Sequence, residues 1–92
     1  MTDGSRPRDF ERWVREHHAE VYRTALSLLR SEADALDATQ QVFLRVLEGG
    51  LRPAEADDPA RLLRWQAVRE ARMALRSARR RRTPPPSNPR RR

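Results

Sequence analysis

Asp34-Ala35-Leu36-Asp37-Ala38-Thr39-Gln40-Gln41-Val42-Phe43-Leu44-Arg45-Val46-Leu47 is the stretch on which the fold turns. Ala35, Thr39, Val42 and Val46 recur at spacings of three or four residues and draw one helical stripe, with Leu36, Phe43 and Leu47 beside it. The opposite side collects Asp37, Gln40, Gln41, Arg45 and Glu48. Both ends are punctuated. Ser31 offers an N-cap acceptor, and the Asp34 carboxylate three residues on lies near the positive end of the helix dipole. Gly49-Gly50 then supplies the left-handed conformation that ends helices.

Upstream, Phe10, Val14, His17, Val21, Ala25 and Leu28 share one face, which predicts a helix from about Pro7 or Asp9 to Leu29, with Ser5 or Asp9 as its cap. Downstream, residues 49–58 read as a loop. Asp58-Pro59 is an N-cap followed by a first-turn proline, so a third helix is expected from there to about Arg82. From Thr83 to Arg92 four prolines forbid helix, and an extended, disordered basic tail is expected. No segment alternates apolar and polar residues as a strand would. The expected fold is all-α: a three-helix bundle over 9–82, between a flexible N-terminus (1–8) and the tail (83–92).

Ninety-two residues allow one small domain with a thin core. There is no cysteine, hence no disulfide framework and no thiolate metal site. No apolar run reaches the ~18 residues of a membrane span, and Met1–Ser5 lacks the apolar segment of a secretory signal. A soluble cytoplasmic protein with no membrane partner is expected. The net charge of +7 hides an asymmetry. Residues 1–60 hold eight arginines against twelve acids; residues 61–92 hold twelve arginines against one acid, Glu70. An acidic body with a strongly basic end implies a polyanion partner for that end.

The third helix separates into two faces. Leu63, Ala67, Val68, Ala71, Ala74, Leu75 and Ala78 fall on one side; Arg61, Trp65, Arg69, Arg72, Arg76, Arg79 and Arg80 fall on the other. Guanidinium forks pair with phosphate oxygens, and guanidinium planes and the indole offer stacking surfaces to bases. A basic face is often merely solvated. This one continues through Arg79-Arg80-Arg81-Arg82, a self-repelling run that a polyanion would neutralise, so nucleic acid is the expected ligand.

Catalytic constellations and cofactor motifs are not found. His17 and His18 are adjacent and point about 100° apart, so they do not share a metal well. His17 sits on the apolar stripe and reads as a core-edge residue. The acid pairs Asp34/Asp37 and Asp57/Asp58 stand at helix starts, with no nucleophile or base beside them. The glycines Gly4, Gly49 and Gly50 make no phosphate loop. Neither an enzyme nor a cofactor is expected.

The stretch 34–47 resembles the signature D-A-E-D-x-x-Q-E-x-F-x-R-x-x of region 2 in bacterial sigma factors of the sigma-70 family, especially the short extracytoplasmic-function type. Tyr22 with Ala25-Leu26 is similar to the Y-x-x-A-L of the preceding helix. Leu62-Leu63 through Arg82 resembles the following W-L-x-x-I-A-x-N-x-x-x-D-x-x-R helix, matching at Ala67 and Arg76. The resemblance covers roughly residues 9–82. It implies a helical domain whose second helix docks on the clamp helices of the RNA polymerase β′ subunit, through Asp34, Asp37, Gln40, Gln41 and Arg45, with Phe43 in the core. It further implies that the third helix and its connecting loop recognise the promoter −10 element and hold the non-template strand, so the basic face of Arg61, Trp65, Arg69, Arg72, Arg76, Arg79 and Arg80 is expected to bind that DNA.

Departures from the pattern are specific. Leu36 and Gln41 replace glutamates, which removes two negative charges from the polymerase side. Gln66, Arg69 and Met73 replace an apolar residue, an asparagine and an aspartate. Arg69 adds attraction to phosphates but removes an amide that pairs two ways with a base edge. The helix–turn–helix domain that reads the −35 element does not follow. A split sigma factor, a truncated sigma-like regulator and a portion of a longer chain each account for that, and imply a separate region 4-like chain or an anti-sigma factor as further partners. The competing readings are a small basic helical module that binds nucleic acid nonspecifically, and a polymerase-binding inhibitor without sigma activity.

Overall fold

Local capping chemistry defines the helices. The structure, a computed structural model, describes residues 9–82, with side chains through residue 80. α1 spans Phe10–Leu29, α2 spans Glu32–Glu48, a short 3-10 turn covers Pro53–Glu55, and α3 spans Pro59–Arg82. No strand occurs among the described residues, and the all-α three-helix reading holds. The expectations for residues 1–8 and 83–92, including the Ser5 cap and Pro7, lie outside the described residues.

Ser31 caps α2, its Oγ accepting from the Asp34 N–H at 3.3 Å. The Asp58 carboxylate accepts from the Arg61 N–H at 3.2 Å, capping α3. Asp9 occupies the N-cap position of α1, but its side chain makes no cap hydrogen bond; it lies 3.7 Å from Arg12 in an ion pair instead. Gly49 ends α2 at φ 88°, a conformation that costs glycine little. α1 ends on Arg30 at φ 59°, whose N–H donates to the Leu26 carbonyl at 2.8 Å. A side chain in this region costs roughly 1–2 kcal/mol, yet it turns the chain into α2 within two residues.

Each helix packs against both others. The main core joins Trp13 and Val21 of α1, Val42, Phe43 and Val46 of α2, Leu51 of the loop, and Leu63 and Ala67 of α3. A second cluster, Ala25, Ala35 and Ala38, lies near the α1–α2 turn under Tyr22, Leu26 and Leu29. Its small side chains let the two helices approach closely. Thr39 is fully buried, and its hydroxyl donates to the Ala35 carbonyl at 2.7 Å.

Four positions correct the periodicity. Trp13, omitted from the α1 stripe, is buried in the core, because the covered face extends past His17 on that side. Leu28, Leu36 and Leu75, placed on or beside apolar stripes, are exposed. Near the end of α1 contact passes to Leu26 and Leu29, which cover the alanine cluster and leave Leu28 outside. Leu36 stands about 100° around α2 from its buried neighbour Ala35, past the edge of the covered face. Along α3, burial ends at Ala71; among the described side chains beyond it, none is fully covered.

The α2–α3 seam is polar. Glu70, 6% exposed, accepts from Gln66 Nε2 at 2.8 Å and from the Nε of Arg45 on α2, both through Oε2. A second cross-helix pair joins Arg64 to Glu20 of α1 at 2.7 Å. We expect Leu63→Ala to cost about 2–5 kcal/mol and Leu75→Ala less than about 1 kcal/mol, read from urea titrations followed by circular dichroism. Arg45→Met should lower Tm because it strands a buried carboxylate; adding Glu70→Met should restore most of the loss.

Candidate functional site

Trp65 lies two residues past fully buried Leu63, and so on the opposite side of α3. It is 55% exposed, the most exposed of the large hydrophobic side chains among the described residues. Arg61, Arg69, Arg72, Arg76, Arg79 and Arg80 are exposed along the same ridge. The structure thus brings all seven expected nucleic-acid residues onto the outside of one helix. Arg69, one turn after Trp65, sets its guanidinium 5.6 Å from the indole centroid, a cation–π pair that holds both planes outward. Around them is a shallow hollow of about 430 Å³, lined by Trp65, Val68, Arg69, Arg72, Met73 and Arg76.

The chemistry of this ridge follows from what its cations do not touch. Arg64 is spent on Glu20. Arg61, Arg72, Arg76 and Arg80 make no ion pair with the described residues, so their charge is turned to solvent. Arg69, Arg72 and Arg76 follow at rises of about 4.5–6 Å along the helix. An apolar-floored hollow ringed by guanidiniums suits an anionic strand with an unstacked base, the guanidiniums on phosphate oxygens and the ring on the indole face.

On α2, Asp34, Asp37, Gln40 and Gln41 are all exposed, interleaved with the half-exposed Leu36 and Leu44. Arg45 differs from them. Its hydrogen bond to Glu70, more than any other contact, holds its pKa above the ordinary guanidinium value and ties it to α3. It therefore belongs to the seam between the helices as much as to the outer face. Glu70 and Gln66 are the residues that sequence reasoning missed. The available signal was their spacing of four and the position of Glu70 as the lone acid of the basic half; its partner on α2 lies 25 residues away.

Both histidines are engaged in ring contacts. His17 stacks on Trp13 with centroids 5.7 Å apart, and His18 on Phe43 at 6.0 Å. Among the described residues, no three His, Asp or Glu side chains gather as a metal site. None of the described helices is long and apolar enough to cross a membrane.

Comparison with curated proteins and with solved structures finds no match. The sequence pattern of sigma-70 region 2 does match, over residues 13–81, which takes in most of α1, all of α2 and all but the last residue of α3. The chain belongs to the sigma-70 region 2 family.

Proposed function

We propose that this chain is a sigma-factor-like transcription initiation protein that joins RNA polymerase core to promoter DNA through two different helices. Asp34, Asp37, Gln40 and Gln41 of α2 form the face for the clamp helices of the β′ subunit. The α3 ridge takes the −10 element, with the non-template strand held as it melts. Family membership supports a role in transcription initiation. The observation that carries the division of labour is the outward-facing Trp65, set among Arg61, Arg72 and Arg76, which make no ion pair with the described residues.

The ridge supplies affinity and steering more than sequence readout. Guanidinium–phosphate contacts fix register and orientation but carry no base information. Arg69 stands where the family pattern has an amide, so base discrimination falls to stacking on Trp65 and to the loop before α3. Arg45 acts indirectly, as the α2 residue that anchors α3 through Glu70.

Each face has its own test. Replacing Arg69, Arg72 and Arg76 together with alanine should abolish binding to single-stranded DNA while far-UV circular dichroism stays unchanged. Any residual binding should show a log–log salt slope reduced by about 2, given roughly 0.7 per phosphate contact. Fluorescence anisotropy measures both, and unchanged affinity rejects the ridge. Asp37→Arg should reduce capture of purified polymerase core about tenfold or more and leave DNA binding intact. In vitro transcription separates initiation from inhibition: an initiator supports transcript synthesis by core, whereas an inhibitor only lowers it.

A further inference from the structure

A second groove, of about 390 Å³, runs between the first half of α2 and the last third of α3. Its apolar lining comes from Leu29 of α1, Ala38 of α2 and Met73, Ala74, Leu75 and Ala78 of α3. Asp34, Asp37 and Gln41 line it from α2, and Glu70 lines it from α3. Met73 is 38% exposed and Leu75 43%, two large apolar side chains only partly covered by the described residues. Met73 also lines the Trp65 hollow, whereas Leu75 lines this groove and not that hollow.

The charge of this groove is one-sided. Asp34 and Asp37 make no ion pair with the described residues. Arg45, the single cation of α2, is committed to Glu70. Both hydrogen bonds to Glu70 arrive at Oε2, and Oε1 receives none from the described residues. The groove therefore offers apolar surface and negative charge together. An acidic partner would meet Asp34 and Asp37, and could engage Arg45 only by stranding the Glu70 carboxylate.

We propose that the polymerase segment docking on α2 seats in this α2–α3 groove, with a cationic side chain directed at Asp34, Asp37 and Glu70 and aliphatic neighbours packed on Met73 and Leu75. This rests on the reading that α2 faces polymerase, and deepens it: the docking site is built by two helices, and its partner is basic and amphipathic. Charge complementarity selects that chemistry. The apolar half of the contact makes docking persist at salt concentrations that strip the α3 ridge from DNA.

The sign of a single charge tests the proposal. Leu75→Arg and Leu75→Glu remove the same apolar side chain and introduce opposite charges at an exposed position. With purified polymerase core and no DNA, Leu75→Arg should weaken binding about tenfold or more, and Leu75→Glu by clearly less. Equal losses, or a larger loss for glutamate, overturn the basic partner. Should Asp37→Arg abolish core binding while both Leu75 variants bind as the parent does, docking uses the outer face of α2 alone and the groove is overturned. Should all three bind core as the parent does, the docking reading fails, and this proposal with it. If the Leu75 variants lose helicity, Asp34→Asn carries the test: it should weaken core binding, and an unchanged or tighter complex overturns the assignment.

Discussion

α3 has to be two things within one helical repeat. Leu63, Ala67 and Ala71 close the bundle with no exposed surface, while Trp65, Arg69, Arg72 and Arg76 stand in water on the reverse side. At about 100° per residue, neither set can rotate without dragging the other. Slippage by one residue would bury a guanidinium, at a desolvation cost far larger than any single apolar contact returns. The core thus sets the orientation of the basic ridge, and the ridge in turn forbids alternative packings. Alanines on the inner side serve the same end: they demand close approach and leave little room for a different rotation.

Between α2 and α3 the packing turns polar, and that polarity joins the two outer faces. Glu70 is nearly sealed, yet it is satisfied by Gln66 from its own helix and by Arg45 from the next. Arg45 shares α2 with Asp37 and Gln41; Glu70 follows directly on Arg69. An ion pair with one partner nearly sealed and the other half-exposed adds little net stability over a well-packed apolar pair. Its contribution is specificity, since a helix with one buried carboxylate accepts few registers.

Helix boundaries were legible because caps are local. Ser31, Gly49 and Asp58 each act within four residues, and the structure uses all three as the sequence suggests. The basic ridge was legible because it lies on a single helix. Burial was less so. Trp13 and Leu28 exchanged roles because coverage depends on where neighbouring helices begin and end, which no spacing within α1 encodes. Leu75 kept the inward phase of α3 but outran the bundle that would have covered it. The partnership of Arg45 with Glu70 spans 25 residues and two helices, beyond the reach of any periodicity.

Every cation of the ridge on α3 is an arginine, in a chain that contains no lysine. Guanidinium stays protonated at every pH a cell reaches, and it lacks the primary amine that acetyltransferases neutralise. The positive field along this helix is therefore a permanent fixture, immune to acid stress and to acylation. Ionic strength and competing polyanions are left as the means of weakening its pull on any anionic partner.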